Sequence, residues 1–143
     1  MPPLTFKKIS YELELSGPQK EAYNFQKVSA VLADFGYITI PLSNDWNGAD
    51  FIAQALDGVT FLKVQLKSRL TFHVNYYGKQ LYICFRDRVQ GSWYIYDHDE
   101  LLEQIDIKGN MRGSETWKAE KPYHFPTLSQ PIKELLKPYQ IPD

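Results

Sequence analysis

The chain of 143 residues has one cysteine and no long hydrophobic run. A single cysteine excludes an internal disulfide and is typical of a reducing compartment. Cys84 lies in the apolar run 81–85, so we expect it to be buried by packing rather than to act as a nucleophile. No stretch of roughly 18 apolar residues could cross a membrane, and residues 1–8 lack the apolar core of a signal peptide. The sequence therefore predicts a cytoplasmic protein without a membrane partner.

The chain also has little net charge, formally −1 at pH 7. No overall field then attracts nucleic acid, and any surface that binds it must be local. Residues 58–90 carry several lysines and arginines against one acid, Asp87, which favours such a surface, although solvated charges scattered along the chain are the plainer alternative. The share of hydrophobic residues, 43%, and of charged residues, 23%, is ordinary for a globular protein. We expect one domain over residues 1–143.

Residues 48–69 predict two strands joined by a hairpin, with the turn at Asp57-Gly58. Side chains alternate along the second strand. One face carries Leu62, Val64 and Leu66, and the other carries Phe61, Lys63, Gln65 and Lys67. Lysines and an amide on a sheet face that should pack against helices are costly unless they are paired. We therefore predict a site where Asp50, Gln65 and Lys67 meet.

An aspartate that begins one strand, followed on the next strand by Gln65-x-Lys67, resembles the motif of the PD-(D/E)XK nuclease superfamily. The resemblance covers residues 16–85. It implies a restriction-endonuclease-like α/β fold, with a central mixed β-sheet of about five to six strands flanked by helices. It also implies that Asp50, Gln65 and Glu21 bind Mg²⁺ or Mn²⁺, while Lys67 positions or activates the attacking water.

The chain departs from the superfamily pattern at Gln65, where an Asp or Glu is usual. An amide oxygen can ligate a hard cation but brings no charge. Metal affinity should then be weaker, or catalysis is lost. A second departure, Ala49 where the motif has Pro, is minor. A third is that no helical pattern follows the strand that bears Lys67.

Glu21 comes from a predicted helix. Ser16 and Gln19 have the spacing of a capping box, and the helix is expected to run to about Phe35 and stop at Gly36. Glu21 lies on the apolar stripe of this helix, so its carboxylate is either frayed into solvent or aimed at the site. The resemblance favours the site, because many nucleases of the superfamily carry a Glu from their first helix toward the metal. The alternative is an ordinary first-turn acid that the helix dipole favours. Asp50 has an alternative as well, since an aspartate at a strand start often bonds only a turn amide.

The remaining chain predicts a mixed succession of strands and helices. Strands are expected at 37–41, 70–74, 81–85 and 93–96, a polar loop at 42–47, and helices at 97–105 and after Ser129. Residues 106–126 read as an irregular basic loop with Trp117 that could follow a phosphate backbone or lie on the surface. His98, at a helix start, is more easily explained without a function than as part of the site.

The resemblance implies a Mg-dependent endonuclease whose partner is nucleic acid, with DNA favoured. Lys63, Arg69 and Lys79 would bind neighbouring phosphates. A homodimer is compatible with this function. The first alternative is a catalytically impaired module on the same fold that binds nucleic acid or a protein, and the second is a structural or protein-interaction domain.

Overall fold

Seven strands and five helices form the part of the chain that the structure describes. This computed structural model describes residues 1–46 and 48–143, and their side chains except those of 44–46. The elements are α1 (Tyr11–Glu14), α2 (Gly17–Ala33), β1 (Ile38–Trp46), β2 (Ala49–Gln54), β3 (Phe61–Lys67), β4 (Leu70–Phe72), β5 (Leu81–Asp87), β6 (Ser92–Asp97), α3 (His98–Ile105), α4 (Glu115–Lys118), β7 (Tyr123–Phe125) and α5 (Gln130–Leu136). Short 3₁₀ turns occupy Val74–Tyr76 and Lys137–Tyr139.

The central sheet is mixed and has the strand order β1-β2-β3-β5-β6. Strand β3 pairs antiparallel with β2 and parallel with β5, and the other two pairs are antiparallel. Helix α2 packs on one face of the sheet, and α3 and α5 pack on the other. This arrangement confirms the predicted α/β class and the five-stranded mixed sheet flanked by helices.

The hairpin between β2 and β3 forms as predicted. The carboxylate of Asp57 accepts hydrogen bonds from the backbone N–H groups of Val59 and Thr60, each at 2.8 Å. Gly58 has a φ of +70°, a left-handed conformation that glycine adopts without strain. A third hydrogen bond, from the Thr60 hydroxyl, is the largest cause of the lowered pKa of Asp57, and the two backbone hydrogen bonds lower that pKa further. Local turn chemistry therefore sets the register of the two strands.

Helix α2 begins with the predicted capping box, because Ser16 and Gln19 exchange side chain-to-backbone hydrogen bonds. Its buried residues Val28 and Leu32 pack against Phe51 and Val64 of the sheet. The helix ends at Ala33 and not at Phe35, which is 47% exposed. The apolar stripe is therefore shorter than its spacing predicted, since Ala22 is exposed as well.

The opposite face of the sheet packs on a second cluster that includes Phe72, Leu81, Ile83, Tyr96, Leu101 and Leu136. Cys84 is fully buried on the α2 side, and burial raises the pKa of its thiol. A thiol held in its neutral form in the core is a poor nucleophile, so its predicted packing role is confirmed.

Three predictions of local structure need correction. The predicted polar loop at 42–47 is wrong for residues 42–46, which continue β1, while Asn47 lies outside the described residues. The strand predicted at 70–74 is the shorter β4, which pairs with β7 in a separate two-stranded sheet. The region 106–126 is less irregular than expected, since it contains α4 and β7, and Trp117 packs half-buried against the core.

The connection from β3 to its parallel neighbour β5 contains β4 and the turn Val74–Tyr76, with no α-helix in this described stretch. This agrees with the missing helical pattern in the sequence. Across the part of the chain that is described, no helix is long and apolar enough to span a membrane.

Candidate functional site

The candidate site begins where β2 and β3 separate. Their paired register ends at Phe51 and Val64, so Asp50 and Gln65 are the next residues on each strand. The Asp50 carboxylate accepts a hydrogen bond of 2.8 Å from the backbone N–H of Leu66. The Asp50 side chain thus takes the place of a main-chain acceptor that β2 does not supply at this point. The same hydrogen bond holds the carboxylate in the fork between the strands.

A cleft of about 690 Å³ lies between this fork and the first half of α2. Its lining includes Glu21, Asp50, Gln65, Lys67 and His124. All four residues that the sequence predicted as catalytic, from Glu21 to Lys67, therefore border one cavity. Its volume is within the range typical of small-molecule and substrate sites, about 300–1,000 Å³.

Gln65 is the unusual member of this group. Its Oε1 atom is buried and has no hydrogen-bond partner among the described residues. A buried acceptor without a partner costs about 1–3 kcal/mol. In folded proteins such an atom is explained by local strain, by a catalytic role or by a bound water or ion.

The oxygen atoms at the cleft suit a hard cation. Among the described residues, no group of three or more His, Cys, Asp or Glu could hold a metal. Mg²⁺ does not require such a group, because it commonly binds through one or two carboxylates and keeps several waters. The Asp50 carboxylate and the unpartnered Gln65 Oε1 offer these donors, and Glu21 adds a carboxylate to the cleft lining. The residues present therefore fit Mg²⁺ or Mn²⁺.

Lys67 is half-buried at the cleft, with its Nζ 5.5 Å from the centroid of the Tyr76 ring. This is cation–π geometry, which favours the charged ammonium over the ring face. The Tyr76 ring in turn packs on Gly48, where an added Cβ would lie 3.1 Å from two ring carbons. A side chain at this position would crowd the ring, so the glycine allows the close approach that places Tyr76 beside Lys67.

The structure separates the lysines and arginine predicted to bind phosphates. Lys63 donates a hydrogen bond of 2.7 Å to the backbone carbonyl of Lys79, and neither residue lines the cleft. Arg69 lines an adjoining cavity of about 610 Å³ together with Arg86 and Arg88. The two cavities share Tyr11, Lys20 and Ser68. The basic surface beside the site therefore consists of Lys20 and arginines, with Lys63 and Lys79 elsewhere.

The segment around α1 lies at the junction of the two cavities. The Arg88 guanidinium stacks 3.5 Å from the Tyr11 ring centroid. Glu12 lies 3.6 Å from Lys20 Nζ and 3.9 Å from Arg88 Nε. These exposed ion pairs are weak, about 0–1 kcal/mol each. Glu12 therefore partly neutralises two cations at the cleft without holding them firmly.

His124 and Lys20 line the cleft although the sequence did not predict them as site residues. His124 lies on β7 opposite Thr71, and its Nδ1 is 2.9 Å from Thr71 Oγ1. Burial lowers the pKa of His124, and the positive charges of Arg69 and Lys67 lower it further. The signal available in the sequence was the alternation Tyr123-His124-Phe125, which places the histidine on the face opposite its aromatic neighbours.

His98 lies in the core and not at the cleft. Its Nε2 accepts a hydrogen bond of 3.0 Å from the backbone N–H of His73, so its proton is on Nδ1, which donates to Asp99. Burial lowers the pKa of His98, against the smaller opposite effect of Asp99. A neutral, fully hydrogen-bonded ring agrees with a structural role.

No match to the chain was found among protein-family models, curated proteins or solved structures. We therefore infer a function from the residues and the geometry of the cleft.

Proposed function

We propose that the chain is a metal-dependent nuclease that hydrolyses phosphodiester bonds in nucleic acid, with DNA as the favoured substrate, and that it acts in the cytoplasm. The observation that carries this proposal is the convergence of Asp50, Gln65 and Lys67 at the fork of two strands, with the buried Gln65 oxygen unpartnered. The order α2-β1-β2-β3 and the position of each residue in it support a restriction-endonuclease-like fold.

Asp50, Gln65 and Glu21 would hold Mg²⁺ or Mn²⁺ in this proposal. A bound ion of this kind polarises a phosphoryl oxygen and lowers the pKa of a coordinated water. The Asp50 carboxylate is oriented by the Leu66 amide, so its position costs little to establish when substrate arrives.

Lys67 would orient the attacking water and stabilise the extra negative charge of the transition state. The Tyr76 ring below Lys67 Nζ limits the positions that the ammonium can adopt. Lys20 and Arg69 would contact phosphates on either side of the reacting group, because they extend the cleft into the adjoining basic cavity.

A second candidate function is a nucleic acid- or protein-binding module on the same fold with impaired catalysis. The specific observation in its favour is the uncharged Gln65 where the superfamily motif has an acid. It predicts salt-dependent binding of nucleic acid without turnover and without a gain from Mg²⁺.

The test is cleavage of plasmid, branched and single-stranded DNA, and of RNA, with Mg²⁺, with Mn²⁺ and with EDTA. Wild type is compared with Asp50→Asn, Lys67→Met and the matched control Lys63→Met, which changes a lysine on the same strand but away from the cleft. We expect metal-dependent cleavage that Lys63→Met retains and the other two lose. Cleavage that survives in both Asp50→Asn and Lys67→Met contradicts the proposal, and binding without turnover favours the second candidate.

A further inference from the structure

The ring of His124 is anchored on a rigid neighbour. Thr71 is completely buried, and its backbone N–H donates to Tyr96 Oη at 3.1 Å. The Tyr96 hydroxyl in turn donates to the Thr71 carbonyl at 2.6 Å. Thr71 is thus fixed by a pair of hydrogen bonds to a fully buried tyrosine, and its side chain has a defined position.

The hydrogen bonds of Thr71 determine where the proton of His124 sits. The Thr71 hydroxyl oxygen lies 2.9 Å from the backbone carbonyl of Arg69 and 2.9 Å from His124 Nδ1. A carbonyl can only accept, so the single hydroxyl proton points to Arg69. The hydroxyl oxygen must then accept from His124, which requires the proton on Nδ1. In the neutral ring, Nε2 carries a lone pair.

Among the described residues, no group donates a hydrogen bond to this nitrogen. His124 is exposed and lines the cavity that Asp50, Gln65 and Lys67 border. Nδ1 faces Thr71, and the second ring nitrogen, Nε2, is not used in this contact. Burial and then the positive charges of Arg69 and Lys67 lower the pKa of the His124 ring, which favours its uncharged form.

The proposed hydrolysis needs a proton acceptor, and the other cleft groups serve poorly. Lys67 is an ammonium and can only donate. The Asp50 and Glu21 carboxylates are the charged ligands proposed for the cation, so they are not free to take the proton. The Asp50 carboxylate also accepts a hydrogen bond from the Leu66 amide. An amide oxygen such as that of Gln65 is a very weak base. An uncharged imidazole with a free Nε2 has the acceptor strength that general-base catalysis near pH 7 requires.

We propose that His124 Nε2 accepts the proton of the water that attacks the phosphodiester, an inference that rests on the proposed nuclease function. As the water oxygen forms its bond to phosphorus, its proton moves to Nε2. The bond from phosphorus to the leaving sugar oxygen breaks, and that oxygen takes a proton from solvent water. The hydroxide so formed receives the proton of the imidazolium, and the neutral ring is restored.

The tautomer can be tested without substrate. Long-range ¹H–¹⁵N correlation spectra of the full chain at neutral pH should show His124 as the Nδ1–H tautomer. In Thr71→Val, which removes the acceptor, that preference should be lost. A neutral His124 protonated on Nε2 in the wild type overturns the proposal.

The catalytic role is tested by turnover and binding measured separately. We expect His124→Ala to lower kcat by about 10²-fold or more while the Kd for nucleic acid stays unchanged. Added imidazole should restore part of the activity of His124→Ala and none of that of Lys67→Met. If wild type is active and the kcat of His124→Ala is within about twofold of the wild-type kcat, the inference about His124 is overturned while the proposed nuclease function is not. A wild type that cleaves no substrate overturns the proposed function together with it.

Discussion

The Asp50 carboxylate and the Leu66 backbone amide are joined by a hydrogen bond of 2.8 Å across the point where β2 and β3 part. One side chain thereby closes the edge of the fork and presents a carboxylate to the cleft. The fold and the proposed chemistry depend on the same residue, and substitutions can separate the two.

Asp50→Asn keeps an oxygen that can accept the hydrogen bond from the Leu66 amide, but it removes the negative charge. We expect its free energy of unfolding to stay within about 1 kcal/mol of wild type, with metal-dependent cleavage lost. Asp50→Ala should lose both cleavage and about 1–2 kcal/mol of stability. Urea unfolding and a nuclease assay measure the two effects, with Asp34→Asn on the exposed end of α2 as the control. Full activity in Asp50→Asn contradicts the assignment.

Gln65 should show a conflict between stability and function. Gln65→Met has a similar volume and no polar atom, so it removes the unpartnered Oε1. We expect it to raise the free energy of unfolding by about 1 kcal/mol and to abolish metal-dependent cleavage. A lower free energy of unfolding in Gln65→Met would mean that Oε1 makes a stabilising hydrogen bond in the folded protein.

Gln65→Glu should strengthen metal binding. A carboxylate at a buried position is costly without a counter-ion, so we expect a lower melting temperature than wild type in EDTA. Mg²⁺ binds the folded state and should raise the melting temperature of Gln65→Glu by more than it raises that of wild type. Thermal melts with and without Mg²⁺ measure this rise for both proteins. An equal rise in Gln65→Glu and in wild type would mean that the cation binds elsewhere.

The stability of the protein should fall as the pH is lowered through the range of the histidines. Burial lowers the pKa of His98 below its ordinary value of 6.5, and the pKa values of His73 and His124 are lowered in the same direction. A lowered pKa means that the unfolded chain binds the proton more readily. The stabilisation is therefore complete above about pH 6.5 and is lost as the pH falls from there through the folded-state values.

His98→Gln isolates one contribution to this dependence. The glutamine oxygen can replace Nε2 as the acceptor for the His73 amide, but it does not titrate. We expect a shallower dependence of the unfolding free energy on pH between about pH 7.5 and 5. Urea titrations at several pH values measure it, and an unchanged slope would show that His98 titrates normally in the folded protein.

Glu12 should compete with phosphate for the cations beside the cleft. Its carboxylate lies within 4 Å of Lys20 and Arg88. Glu12→Gln should tighten nucleic-acid binding by severalfold at low salt, with little change in stability because both ion pairs are exposed. Fluorescence anisotropy across a salt series measures this, with Glu14→Gln as the control. Weaker binding in Glu12→Gln contradicts this account of the basic surface.

The sequence was most informative where the chemistry is local. The Asp57-Gly58 turn and the alternation after it predict the hairpin, and the hairpin register alone brings Asp50 beside Gln65. The continuation of β1 through residues 42–46 was missed because polar residues there have low strand propensity, yet pairing resumes at Trp46 and Ala49 beyond a register shift.

Local sequence patterns could not predict which residues distant in the chain meet at the cleft. His124 reaches the cleft only because β7 pairs with β4, two strands far apart in sequence that form their own sheet. The alternation on β3 put Lys63 and Lys67 on one face, but it could not show that Lys63 turns to the Lys79 carbonyl. The strand pattern therefore predicted which side chains share a face, and tertiary contacts decided which of them share a cleft.

The central claim is that the Asp50 carboxylate and Gln65 Oε1 bind one divalent cation. Crystals soaked in Mn²⁺ and measured at the manganese absorption edge test it most directly. We predict an anomalous peak between these two groups in wild type, and no peak there in crystals of Gln65→Met soaked in the same way. Wild-type crystals whose only manganese peaks lie away from the fork of β2 and β3 would contradict the account.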